Sequence, residues 1–215
     1  MELKKENNMS QVSLVWVTPQ AEELVARMAR VSNPANQNNP ASAPKLLKYL
    51  IDNKHWSPFE MVNMCVEITT TRDIARQILR HRSFSFQEFS QRYAVAEHFT
   101  MSEARLQDVK NRQNSLETED RYLAYWWEGA QRRVLQEAQF MYESALAKGI
   151  AKEQARKLLP EGMTESKMYM NGTLRSWMHY VDIRCDKATQ KEHREVAEQV
   201  RGIMIEQFPS LVTSE

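Results

Sequence analysis

Glycine is scarce in this chain: it occurs only five times in 215 residues, and its occurrences form no run. Backbone loops that close around a phosphate, such as the dinucleotide fingerprint G-x-G-x-x-G and the P-loop, need closely spaced glycines. Neither motif can be written anywhere in the sequence. Folds that hold a nucleotide on such a loop are therefore excluded, and any nucleotide that binds here must have its phosphates held by side chains.

Hydrophobic periodicity predicts a single α/β (α+β) domain over residues 1–215, dominated by helices and completed by a small, largely antiparallel sheet. Alternation of apolar and polar residues predicts strands over residues 11–18, 64–69 and 168–170. Apolar spacing of three and four predicts helices over residues 19–31, 44–53, 72–79, 123–149, 150–158, 173–184 and 188–208.

Three details of this prediction concern local structure. Thr18 precedes Pro19 and is the expected cap of the first helix. Val134 and Met141 lie on the predicted buried face of the long helix. Residues 93–115 show no periodicity and are predicted to form a functional loop, while residues 1–10 are predicted to be a frayed polar lead-in.

Charge and cysteine content limit the partners. The chain has 29 Lys and Arg against 28 Asp and Glu, and a near-neutral balance argues against nucleic acid or an anionic membrane as the partner. Its longest apolar stretches are too short to cross a bilayer. Cys65 and Cys185 form neither a disulfide framework nor a metal-ligand spacing. We expect a cytoplasmic protein (in the host cytoplasm if the gene is viral) without a metal site.

The densest polar cluster runs from Arg80 to Arg92. Guanidinium groups bind phosphate through paired, charge-assisted hydrogen bonds, so this segment is the best candidate phosphate site. His81 lies between two cations and is expected to prefer its neutral form. Aromatic rings interleave with the polar groups and are expected to anchor the segment in a partly desolvated setting; they are Phe84, Phe86 and Phe89.

Other interpretations of the cluster stay open on these grounds alone. It could be a solvated, salt-bridged surface of a structural helical protein. It could also be a nucleic-acid-binding module in which the same three phenylalanines stack on bases, in which case binding should fall steeply with salt.

A longer pattern runs through this cluster. Residues 80–92 have the form R-H-R-x-x-S-x-Q-x-x-S-x-R, which resembles the signature R-H-R-x-x-S-x-N-x-x-S-x-R of flavin-dependent thymidylate synthases, with Gln87 in place of Asn. Further segments are similar to that family: A-R-V-S from Ala29, H-x-S-P-F-E from His55, A-R-x-x-L-P from Ala155, and Leu174-Arg175-Ser176 followed by His179 and Arg184. His179 is a second departure, since the family more often has Asn there.

The resemblance implies a reaction and a set of site residues. In that reaction dUMP takes a one-carbon unit from 5,10-methylenetetrahydrofolate, and FAD reduced by NADPH supplies the hydride that completes the methyl group of dTMP. The residues implied to bind FAD are His55, Ser57, Arg80, His81, Arg82, Ser83, Glu88, Thr173, Leu174, Arg175 and His179. Those implied to bind dUMP are Gln77, Arg80, Glu88, Phe89, Ser90, Gln91, Arg92, Arg156 and Arg184. A homotetramer with sites built from several subunits is also implied.

Chemistry suggests individual roles. Making C5 of uracil a nucleophile places negative charge on the ring, and an arginine aimed there stabilises that charge without losing a proton. Arg184 is the residue expected to do this. Ser90 is expected to donate a hydrogen bond, since a serine without an adjacent base is a weak nucleophile. A cysteine-dependent thymidylate synthase would make the same product through Cys65 or Cys185, and turnover without either thiol separates the two chemistries.

Overall fold

The computed structural model describes residues 10–211. Its strands are β1 (Gln11–Val17), β2 (Asn63–Thr71), β3 (Phe84–Glu88), β4 (Arg105–Gln107), β5 (Ser115–Glu117) and β6 (Glu165–Thr173). Its helices are α1 (Ala21–Ala29), α2 (Ala43–Asp52), α3 (Arg72–Ile78), α4 (Arg121–Ala147), α5 (Lys152–Ala155), α6 (Leu174–Arg184) and α7 (Lys191–Gln207). This is the expected helix-rich fold with small antiparallel sheets.

The larger sheet has the strand order β1-β2-β6-β3, and every pair in it is antiparallel. β6 lies between β2 and β3, so that Asn171 is paired with Cys65 on one side and with Ser85 on the other. Strands β4 and β5 form a separate hairpin within the segment that connects β3 to α4. The sheet thus places the end of β6, from which α6 starts, directly beside the start of β3.

The main hydrophobic core lies between this sheet and the helices α1, α2, α3, α6 and α7. Trp177 of α6 is fully buried, and its indole Nε1 donates a 2.9 Å hydrogen bond to the backbone oxygen of Met64 on β2. Its ring also meets the ring of Phe84 edge-on at 4.6 Å between centroids. These contacts hold α6 against β2 and β3, which is how the helix is positioned for the site described below.

Gly172 makes the close approach of β3 to β6 possible. The two residues Gly172 and Phe84 are paired across the strands. A Cβ atom at position 172 would lie 2.3 Å from Cδ1 of Phe84. The ring therefore occupies the space that any other side chain at this position would need.

Most predicted elements are confirmed, and the differences have physical causes. Thr18 does not cap α1: its hydroxyl exchanges hydrogen bonds with the backbone of Asn63, and the residue before the helix is Gln20 in a left-handed conformation. Ser10 is buried and hydrogen-bonded to Thr70 at 2.8 Å, so the predicted frayed lead-in is wrong at that residue. Residues 1–9 lie outside the described part of the chain.

Four further predictions were wrong or incomplete. β3 was not predicted, and β6 is nine residues long instead of three. The segment 93–115 contains β4 and the first residue of β5, although its earlier part is irregular. On α4 the buried residues are Gln131, Leu135 and Tyr142, while Val134 and Met141 are exposed, because the described chain packs against only a narrow strip of this long helix. No helix between residues 10 and 211 is long and apolar enough to cross a membrane.

Candidate active site

His81 and Arg184 meet where α3 leads into β3 and α6 ends. His81 follows α3 by three residues, and Arg184 is the last residue of α6. Arg184 Nε donates a hydrogen bond to His81 Nε2 at 3.0 Å. The imidazole also packs edge-on against the buried Tyr180, with 5.0 Å between ring centroids. Because Nε2 accepts a hydrogen bond, the proton of the neutral ring is on Nδ1.

The charge state of His81 follows from its surroundings. Burial lowers its pKa most, and the positive charge of Arg184, then His179 and Arg80, lowers it further, to about 4. The imidazole is therefore neutral near pH 7, as the sequence predicts. A neutral ring can accept a hydrogen bond from Arg184, so the guanidinium is held in place while it keeps its full charge.

A cavity of about 690 Å³ opens beside α6 and the short turn Ser57–Glu60. The residues that line it are Trp56, Glu60, Ser83, Arg175, Ser176, Met178, His179 and Asp182. Arg175 is ion-paired with Glu60 across the opening. Trp56 and Met178 offer apolar surface, while the serines, Arg175 and His179 offer polar groups. A cavity of this size and mixed lining fits a planar cofactor with a phosphate-bearing tail, such as the expected FAD.

The predicted flavin residues fall into two groups around this cavity. Ser83, Arg175 and His179 line it directly, and His55, Ser57 and Arg82 are exposed on neighbouring segments.

Two of the predicted flavin residues, Thr173 and Leu174, have structural roles. Thr173 caps α6 by accepting a hydrogen bond from Ser176 N at 3.3 Å. Leu174 is fully buried in the core. Glu88 stands apart from the cavity, at the other end of β3. There it accepts a hydrogen bond from Ser166 at 2.7 Å and lies 3.6 Å from Arg72.

A second, strongly basic cavity of about 330 Å³ lies at the start of α3. Its lining is Arg72, Arg76, Gln91, Arg156, Lys157, Leu159, Glu161 and Thr164. Gln91 is buried, and its amide Nε2 has no hydrogen-bond partner among the residues that the structure describes. A buried donor without a partner costs free energy, so an acceptor atom of a ligand in this cavity would relieve that cost.

The predicted dUMP residues are divided along α3. Gln91 and Arg156 line the basic cavity, near which Arg92 is paired with Glu153 at 3.3 Å. Gln77, Arg80 and Arg184 lie toward the other end of the helix. Since a helix rises about 1.5 Å per residue, the two ends of α3 at Arg72 and Ile78 are separated by roughly 9 Å along its axis.

The remaining two dUMP residues, Phe89 and Ser90, lie just after β3. Ser90 Oγ accepts a hydrogen bond from Arg92 N at 3.4 Å, and no base or catalytic partner for it is recorded among residues 10–211. Phe89 is 36% exposed, whereas Phe84 is buried and Phe86 packs against the core. The expectation that all three rings anchor the segment therefore holds for two of them. Phe89 follows the last residue of β3, and although its backbone N–H donates to Lys167 O of β6 at 2.8 Å, its ring is partly exposed.

Sequence reasoning missed several residues around the two cavities. Trp56, Met178 and Asp182 line the larger one, and no motif residue marked them. Glu60 also lines it; this residue ends the H-x-S-P-F-E motif, but no role was assigned to it. Arg72 and Arg76 line the basic one. Their spacing of four residues, continued by Arg80, places all three arginines on one side of α3 and was the available signal.

Neither cysteine has the properties of a nucleophile. Burial raises the pKa of the Cys65 thiol, which lies within β2. Burial is also the largest effect at Cys185, and it raises the pKa of that thiol as well. A thiol with a raised pKa is mostly protonated near pH 7, and the thiolate is the reactive form.

Comparison with known proteins identifies the family to which the chain belongs. Residues 13–210 match the family model described as thymidylate synthase complementing protein. The chain is 55% identical over 193 residues to the flavin-dependent thymidylate synthase of Synechocystis sp., which covers 90% of this chain and 88% of the relative. It is 51% identical over 192 residues to the probable flavin-dependent thymidylate synthase of Paramecium bursaria Chlorella virus 1, covering 89% and 88%.

A solved structure shares the fold. The crystal structure of the UMP/dUMP methylase PolB from Streptomyces cacaoi, bound with 5-Br dUMP, superposes with a TM-score of 0.85 at 27% identity, over 95% of this chain and 93% of that one. With the family model spanning nearly the whole sequence and two relatives above 50% identity, the chain belongs to the flavin-dependent thymidylate synthase family.

Proposed function

We propose that this chain methylates dUMP to dTMP, with 5,10-methylenetetrahydrofolate as the one-carbon donor and NADPH-reduced FAD as the hydride source. The observation that carries the proposal is the Arg184–His81 pair, which lies close to the flavin-sized cavity and keeps a full positive charge at a fixed position. The names of the two relatives described above support the same activity.

The residues that line the larger cavity suit a bound flavin. Ser83, Ser176 and His179 would offer hydrogen bonds, and Arg175 would offer charge to the pyrophosphate, with Ser57, Arg80 and Arg82 on neighbouring segments. Trp56 and Met178 would pack against the ring system. When bound, FAD supplies the hydride that completes the methyl group.

Arg184 stabilises the charge that develops on the uracil ring when C5 attacks the one-carbon unit. Within residues 10–211, Arg184 forms no ion pair with a carboxylate. Its charge is therefore not neutralised by a neighbouring carboxylate. The hydrogen bond from Nε to the neutral His81 orients the guanidinium, so less reorganisation is needed when charge appears on the substrate.

The phosphate of dUMP binds in the basic cavity. Arg156 and Lys157 contribute positive charge there, and Gln91 contributes its unpartnered amide donor. Because the two groups of dUMP residues are separated along α3, we place the substrate in a site completed by a second copy of the chain within a homotetramer. In support, α4 exposes large aromatic residues that a subunit interface would cover; they are Tyr122, Tyr125, Trp126 and Phe140.

The enzyme works in the cytoplasm on small molecules only: dUMP, the folate and NADPH. Sedimentation at several protein concentrations tests the homotetramer. Binding of single-stranded DNA that falls steeply with salt would instead favour the nucleic-acid interpretation of the arginine cluster.

A spectrum followed by a turnover assay tests the function. Purified protein is expected to show flavin absorbance that NADPH bleaches, and to form dTMP from dUMP and methylenetetrahydrofolate. UMP is run in parallel, since the structural neighbour is described as acting on both nucleotides. A protein that neither contains nor responds to FAD contradicts the proposal.

Arg184→Ala tests the assigned charge. It is expected to retain FAD and to lose dTMP formation by about 100-fold or more, which is the usual cost of removing a transition-state donor. Arg201→Ala on the exposed side of α7 is the control and should turn over normally. Near-normal turnover by Arg184→Ala would rule out its assigned role.

A further inference from the structure

A chain of hydrogen bonds joins six side chains on α3, α6, α7 and the segments beside them, and neither of the two cavities contains the whole chain. Tyr180 OH lies 3.2 Å from His193 Nε2, and His193 Nδ1 lies 3.4 Å from Gln77 Oε1. Gln77 Nε2 donates to Gln190 Oε1 at 2.7 Å, and Gln190 Nε2 donates to Glu192 Oε2 at 3.0 Å. The other oxygen of Glu192 accepts a hydrogen bond from Arg105 of the β4–β5 hairpin.

The carboxylate at the end of the chain sets the direction of every link. Burial alone raises the pKa of Glu192, but the hydrogen bond from Arg105 and the other donors outweigh it and lower the pKa on balance. An ionised carboxylate only accepts hydrogen bonds, so Gln190 turns its NH₂ toward Glu192 and its oxygen toward Gln77. Gln77 must then donate to Gln190 and turn its own oxygen toward His193.

The same logic determines the tautomer of His193. Gln77 Oε1 is an acceptor, so His193 donates from Nδ1, and Nε2 is left to accept from the hydroxyl of Tyr180. His193 is fully buried, and the charged or titratable groups that face it include Arg184, His81 and the hydroxyl of Tyr180. Burial, followed by the charge of Arg184, lowers its pKa to about 3, so the ring stays neutral and keeps this tautomer near pH 7.

We propose that Glu192 and His193 are positioning residues that fix the orientation of the Gln77 amide, so that Gln77 offers an N–H donor to the substrate. The oxygen of that amide is occupied by His193, and one of its two N–H groups is occupied by Gln190. The remaining N–H fits an acceptor atom, a carbonyl or phosphate oxygen of the pyrimidine nucleotide. This inference rests on the proposed function for the identity of the nucleotide, but the hydrogen-bond direction itself does not.

Nitrogen NMR of histidine-labelled protein tests the direction without any assay of activity. At pH 7 the wild-type His193 should show a protonated Nδ1 and an unprotonated Nε2, assigned by the signals lost in a His193 variant. The opposite tautomer, or a doubly protonated ring, would overturn the inference. Glu192→Gln replaces the acceptor-only anchor with an amide that can donate or accept, so a mixture of His193 tautomers is expected in that variant.

Two substitutions of His193 separate positioning from packing. Asn carries its amide nitrogen near the position of Nδ1 and can still donate to Gln77, whereas Gln places its amide near Nε2 and cannot. His193→Asn should bind dUMP within about threefold of wild type, and His193→Gln about tenfold more weakly, as for one lost hydrogen bond. FAD content should be equal in both, which excludes general misfolding as the cause.

The outcomes are distinguishable. Equal dUMP affinity in the two His193 variants contradicts the positioning role, even if the wild-type enzyme makes dTMP normally. Wild-type protein that fails to bind dUMP contradicts the proposed function, while the nitrogen spectrum still decides the direction of the chain. If neither variant folds, Glu192→Gln supplies the comparison.

Discussion

Two neutral histidines make this protein sensitive to acid. The pKa of His81 is lowered to about 4 and that of His193 to about 3, from an ordinary value of 6.5, with burial as the largest cause at both. Both folded-state values lie below the unfolded value. Between about pH 4 and 6.5 the unfolded chain therefore binds protons that the folded chain does not, and stability is lost as the pH falls.

The size of the loss follows from the number of protons. Each such group lowers the free energy of unfolding by up to about 1.4 kcal/mol per pH unit. From pH 6 to pH 5 the pair would cost at most about 2.7 kcal/mol by this arithmetic. Because His81 is only half-buried and solvent screens its interactions, we expect about 2 kcal/mol for the pair, of which the fully buried His193 contributes the larger part.

Urea unfolding at pH 6 and pH 5, at one protein concentration, measures this loss. In His193→Asn the difference between the two pH values should shrink by about 1 kcal/mol. His98→Asn, which changes an exposed histidine, should leave the difference unchanged. Groups that titrate in the wild type and in both variants contribute equally to each difference in the free energy of unfolding, so their contributions cancel when the differences are compared. If His193→Asn keeps the wild-type difference, His193 is protonated in the folded protein and the reasoning from burial is refuted.

Two further predictions concern packing and thiol chemistry. Gly172→Ala places a Cβ 2.3 Å from the ring of Phe84 and should destabilise the fold by about 1–3 kcal/mol, measured by thermal unfolding. Gly162→Ala, whose nearest neighbouring atom is 3.9 Å away, is the control, and equal melting temperatures would contradict the clash. Replacing Cys65 and Cys185 together by Ala should leave dTMP formation dependent on FAD and NADPH, whereas loss of turnover in folded protein would indicate thiol catalysis.

Much of the candidate site could be predicted because its residues are close in sequence. Arg80, His81 and Ser83 belong to one segment, and Arg175 and Arg184 belong to one helix whose period is visible in its apolar residues. The neutral form of His81 was predicted from its two arginine neighbours, and its lowered pKa agrees with that form. The largest cause of the lowering, however, is burial, followed by the charge of Arg184, and Arg80 contributes least.

Other parts of the site depend on contacts that sequence spacing does not contain. The strand β3 was missed although Phe84, Ser85, Phe86 and Gln87 alternate as a strand does, because the segment was interpreted only as a cluster of binding groups. Its pairing with β6 shows that it is a strand. His193 gave no signal in the sequence, yet it is buried against Tyr180 and Gln77 from two other helices. The buried face of α4 was wrongly predicted at Val134 and Met141, since periodicity identifies an apolar stripe but not its partner.

The sequence by itself determined that a nucleotide here must be held by side chains, because five scattered glycines cannot form a phosphate loop. It also determined which arginines are available, since the motif places them at set intervals. Only the tertiary structure decided how they are used. Charge and hydrogen-bond direction depend on burial and on partners far along the chain: Arg184 meets His81 across 103 residues, and Glu192 orients Gln77 through Gln190.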